Sequence, residues 1–152
     1  MRKLKVLPLL VSSIILASGW VGSNDSVASM SEDPCMQARQ VVVILKMQRP
    51  VYLDEQGHYR VKWVNDPYKG QRNYVEDDAR EDHLNRALDQ LNQVCERPND
   101  PAAMQRAEHN VVTEAKCIAA KADLDYYNNP ETRTAKQKIR DQAALVKRYC
   151  DS

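Results

Sequence analysis

At Asp33-Pro34, Asp100-Pro101 and Asn129-Pro130 a short polar side chain stands directly before a proline and close ahead of a run of helix-compatible residues. Each pair marks a helix start. The Asp or Asn oxygen accepts from free N–H groups of the first turn, and proline at the first helical position has no N–H to leave unpaired. After the second pair, Met104, Ala107, Val111, Ala115, Ile118 and Ala122 recur at helical spacing; after the third, Ala135, Ile139, Ala143, Val146 and Cys150 do the same. A fourth amphipathic pattern, Leu84, Ala87, Leu88, Leu91, Val94 and Cys95, follows the acidic run Glu76-Asp77-Asp78, where a helix N-terminus favours negative charge.

The segment after Pro34 is less direct, because Val41-Val42-Val43-Ile44-Leu45 is apolar all round and β-branched. Such a run suits a buried helix or a strand. The proline start and the helix-compatible Met36 to Arg39 favour a helix. Val51 to Val64 (VYLDEQGHYRVKWV) instead alternates with period two around Gly57 and predicts a β-hairpin. The expected fold is therefore mainly α: a disulfide-bonded bundle of three to four helices with a small hairpin insertion spanning 51–74. If 41–46 were a strand pairing with the hairpin, the class would be α+β.

Ahead of this domain, Met1 to Lys5 is basic, Val6 to Ala17 is apolar, and small residues follow, the pattern of a secretory signal peptide. The apolar run is shorter than the ~20 residues that span a bilayer, which argues against a stable membrane anchor. Small residues permit cleavage after Gly19, Ser23 or Ser29, and the Ser-rich stretch 23–31 reads as a flexible arm. Residues 1–29 are thus expected to be leader and arm, and 30–152 a single domain that is periplasmic or secreted.

Of 22 Lys and Arg, three (Arg2, Lys3 and Lys5) leave with the leader, so 19 remain against 21 Asp and Glu, a formal charge of −2. Phosphate backbones call for a basic excess, so nucleic acid is a poor partner. Cys35, Cys95, Cys117 and Cys150 form no CxxC pair and no Cys/His motif, and an even number in an oxidising compartment reads as two disulfides. In an up-and-down bundle, Cys95 and Cys150 would both end helices at one end, whereas Cys117 would lie ~24 Å along its helix. That geometry predicts Cys35–Cys117 and Cys95–Cys150.

Chemistry has few footholds. His58, His83 and His109 share no motif, and Glu108-His109 lacks the second histidine of a zinc-protease helix. Asp78 and Asp82, at i and i+4, are the best metal-binding pair and leave a metal-dependent enzyme as a minor alternative. Neither a nucleophile elbow nor a phosphate-cradling glycine loop occurs, and no cofactor is implied. The expectation is a protein that is not an enzyme.

The compositional anomaly is aromatic. The chain has seven Tyr, two Trp and no Phe; with Trp20 set aside, five of the eight rings (Tyr52, Tyr59, Trp63, Tyr68 and Tyr74) lie within 23 residues. Rings with polar handles suit half-wet interfaces. Alternation places Tyr59, Val61 and Trp63 on one face, with His58, Arg60, Lys62 and Val64 on the other. Part of the hairpin must pack on the helices, since an isolated hairpin is marginal. The remainder makes Arg60, Lys62, Trp63, Tyr68 and Arg72 the candidate binding residues. They suit an adaptor, inhibitor or immunity-type protein meeting an acidic protein partner in the cell envelope. Alternatively, Trp63 and the tyrosines would stack on cell-wall glycan, and the hairpin edge offers a contact for a homodimer.

Overall fold

In the computed structural model, residues 33–63 and 72–151 are described. The leader, its cleavage positions and Tyr68 lie outside them. In chain order come α1 (Pro34–Lys46), β1 (Val51–Leu53), β2 (Tyr59–Val61), β3 (Asn73–Tyr74), α2 (Asp77–Val94), α3 (Pro101–Asn128), a 3-10 turn (Pro130–Thr132) and α4 (Lys136–Cys150). The chain is mainly helical, and the 41–46 segment is helix, not strand. None of the described helices is long and apolar enough to cross a membrane.

Capping chemistry sets two of the helix starts. Asp33 accepts from the Cys35 N–H at 3.0 Å, and Asp100 accepts from Ala102 and Ala103 at 3.0 and 3.2 Å. Asn129-Pro130 behaves differently. Asn129 caps only the 3-10 turn, donated to by Glu131 N–H at 3.0 Å, because Thr132 folds back on the Asn129 carbonyl and Arg133 turns left-handed at φ 50°. The fourth helix therefore begins at Lys136, later than the proline suggests.

α1 is the centre of the fold. It packs on both α2 and α3, with β2 against it as well, which explains a run apolar all round: Ala38 and Val42 to Leu45 are all buried. α1 and α2 are antiparallel, joined at one end by Cys35–Cys95 and at the other by Arg80. Its guanidinium donates to the Met47 and Arg49 carbonyls at 3.2 and 2.6 Å as the chain leaves α1. Ala107, Val111 and Ala115 of α3 complete the core with Leu91, Val51 and Val61.

The sheet has three strands in the order β2-β1-β3, both pairings antiparallel. Tyr52 sits opposite Arg60 on one side and Tyr74 on the other, while Val51 pairs with Val61. The predicted alternation holds: Val61 is buried and Tyr59 and Trp63 pack against the core. Gly57 turns the hairpin at φ +82°, a region glycine enters without strain, and Asp54 fixes the turn by accepting from the Gln56 and His58 N–H groups at 3.0 and 2.8 Å.

Both disulfides form, but Cys35 bonds Cys95 and Cys117 bonds Cys150, which corrects the expected pairing. The reason is topological. α3, at 28 residues about 42 Å long, overshoots the three-helix core, and α4 folds back on its distal half alone. The end of α4 thus returns to the level of Cys117 and never meets Cys95. The expected α4 stripe is only partly covered for the same reason: Cys150 and Gln142 are buried, Ile139 and Val146 half-buried, and Ala135 and Ala143 exposed. On α2, Val94 is 41% exposed although the helical pattern places it with the core.

Candidate functional site

Trp63 lies just past β2. The Lys62 N–H donates to the Pro50 carbonyl at 2.9 Å, which carries the strand pairing one step beyond β2 and sets the direction in which Trp63 leaves the sheet. Its ring is half-buried against the core. Two cations stand over it: the Arg49 guanidinium at 4.1 Å and the Lys116 ammonium at 5.5 Å from the ring centroid. Arg49 is held by Arg80, which grips its carbonyl. Lys116 also lies 5.6 Å from the ring of Tyr149, and Arg148 stands 5.9 Å from that ring.

The Cys117–Cys150 bond explains this meeting, since Lys116 and Tyr149 are the residues just before the two half-cystines. Between Trp63 and the α3–α4 pair lies a cleft of about 140 Å³, lined by Ala119 and Ala120 of α3 and by Gln142, Leu145 and Tyr149 of α4. Gln142 Nε2 donates to the Ala120 carbonyl at 3.1 Å, closing the helix pair beneath it. Cation–π contacts of this kind leave the outward side of the cation able to receive an anion. The ion pairs between described residues use neither Arg49 nor Lys116.

The other expected contact residues are distributed differently. Arg60 faces away from Trp63 and its guanidinium is engaged inside the fold, donating to Asp54 at 2.9 Å and to Glu114 of α3; its side chain is only 13% exposed. Burial raises the Glu114 carboxyl above its ordinary value, with Arg60 acting in the opposite direction. Desolvation also pushes Asp54 upward, but the His58 N–H and Arg60 outweigh it and hold that carboxyl below its ordinary value. Lys62 is half-buried beside Trp63 in the chain. Arg72 stands 4.2 Å over the Tyr52 ring, in a second aromatic group where Tyr52 meets Tyr74 edge-on at 6.2 Å.

Arg49, Lys116 and Tyr149 are therefore site residues that hairpin composition does not reveal. Each comes from a different element, and only knowledge of the Cys117–Cys150 pairing would bring two of them together. The histidines are spread out: His58 is exposed beside Asp54, His83 Nδ1 lies 2.6 Å from the Tyr59 hydroxyl, and His109 is exposed. Asp78 and Asp82 are both exposed on α2, and among the described residues no three potential metal ligands converge. Compared with known protein families, with curated proteins and with solved structures, the chain finds no match.

Proposed function

We propose that this is an exported protein-binding module of the bacterial envelope, an adaptor, inhibitor or immunity-type protein, that meets an acidic partner through Trp63, Lys62, Arg49, Lys116 and Tyr149. The observation that carries the reading is the pair of cations over the Trp63 ring, Arg49 at 4.1 Å and Lys116 at 5.5 Å, beside an open cleft. Aromatic residues and Arg dominate binding energy at protein interfaces, and half-buried cations over a ring, engaged in no ion pair between described residues, can receive a carboxylate. Export is supported by the leader pattern and by the two disulfides, which an oxidising compartment sustains. Glycan stacking needs an open ring face, and the cations over Trp63 make it the weaker reading.

The test is retention of an envelope protein on the immobilised protein, compared with its Lys116→Glu variant. Loss of the partner with an unchanged melting temperature is expected. Equal retention would overturn the reading, and co-sedimentation of the protein with purified cell wall would favour glycan instead.

A further inference from the structure

Resting on that reading, we propose that the cleft beside Trp63 receives one apolar side chain of the partner, leucine or phenylalanine in size, with a neighbouring carboxylate held by Lys116. The cleft measures about 140 Å³, and Gln142 on its lining is held by the Ala120 carbonyl. An apolar cavity of about 150 Å³ accommodates benzene, so this space suits one side chain and not a whole helix face. Ala119 and Ala120 line it with side chains that go no further than Cβ, which leaves the space beside them open. Leu145 and Tyr149 supply apolar lining, and Leu145 remains 38% exposed because α4, among the described elements, packs chiefly on α3.

Charge selects the flanking residue. Lys116 lines the cleft, close to both aromatic rings and in none of the ion pairs between described residues, whereas Asp123, also on the lining, is engaged in an interaction of its own. Residues 116–151 hold eight Lys and Arg against five Asp and Glu, so this part of a chain that is net acidic beyond its leader is basic. An apolar anchor next to an acidic residue is complementary to both features.

In the full chain carrying Trp20→Phe, Trp63 is the sole tryptophan and its fluorescence reports on the cleft. The probes are acetyl-Glu-Phe-Glu-amide, acetyl-Glu-Ala-Glu-amide and acetyl-Lys-Phe-Lys-amide, titrated to millimolar concentration. A saturable shift in emission is expected with the first, and affinity lower by about tenfold or more with the other two. Filling the cleft with Ala119→Leu should weaken the first peptide to a similar extent. Leu145→Ala, at an exposed position that leaves folding intact, should also weaken it.

No saturable response to the first peptide, equal binding of the alanine peptide, or indifference to both variants would overturn the inference. So would an emission shift that depends on protein concentration without peptide, since the occupant would then be a second copy. The two readings fail separately: if Lys116→Glu releases the envelope partner but the peptides are not discriminated, the anchor is wrong and the binding module stands.

Discussion

Arg60 donates to Asp54 in the hairpin turn and to Glu114 in the middle of α3, so one guanidinium ties the sheet to the longest helix. Both contacts are within the fold, one local and one 54 positions away, with the Arg60 and Glu114 side chains 13% and 11% exposed. Removing Arg60 leaves two carboxylates without their cation, whereas neutralising Glu114 leaves Arg60 its pair with Asp54. Arg60→Met is therefore expected to cost about 2–4 kcal/mol in urea unfolding, and Glu114→Gln under about 1 kcal/mol. The double variant should be more stable than Arg60→Met alone, and equal losses in all three would contradict the role given to Glu114.

The same cluster sets a pH dependence of two opposite signs. Burial raises Glu114, so the folded state takes up its proton more readily than the unfolded chain, and stability gains as pH falls through the folded value, above the ordinary 4.5. Asp54 is lowered on balance, so its contribution is present above the ordinary 3.8 and is lost as pH falls through the lower folded value. Relative to wild type, Glu114→Gln should remove the gain on mild acidification and Asp54→Asn the loss at lower pH. Chemical denaturation across that range measures both.

The two disulfides are expected to differ in what they hold. Cys35–Cys95 closes a separation of 60 residues across the core, and Cys117–Cys150 closes 33 on a helix that, among the described elements, packs chiefly on α3. By loop closure each is worth about 4 kcal/mol. Alanine at 35 and 95 should lower global stability, whereas alanine at 117 and 150 should free α4 while the core persists. Hydrogen exchange of α4 amides against those of α1 distinguishes the outcomes, and peptide mapping without reductant checks the pairing.

Asp100 accepts from two N–H groups at the start of α3, and Asp33 from one at the start of α1. Replacing Asp100 with Ala should lower the unfolding temperature, and Asn in its place should recover most of that loss. Thermal unfolding of the two variants measures the difference.

What was legible in the sequence was local. An Asp before a proline caps the helix it begins whatever lies elsewhere, and period-two alternation around Gly57 sets the hairpin faces within a dozen residues. The pairing of cysteines is not local: it depends on α4 folding back on the distal half of α3, a choice made by packing. Asn129-Pro130 misled for a related reason, because the left-handed Arg133 ends the turn before a helix can propagate. Among the candidate residues, Trp63 was found from ring composition, whereas Arg60 was drawn into the fold by Glu114, 54 positions away. Lys116 and Tyr149 carry no signal until the Cys117–Cys150 bond is known, and Arg49 none until the path of the chain from α1 to β1 is.

The claim that the Trp63 cleft is the partner-binding face is tested most directly by a photo-crosslinking residue at Leu145, compared with one at Gln105, an exposed position on the N-terminal half of α3. In intact envelopes, the Leu145 probe should give one discrete protein adduct that Lys116→Glu abolishes, and the Gln105 probe should not. An adduct from Gln105 alone, or a Leu145 adduct indifferent to Lys116→Glu, would contradict the account.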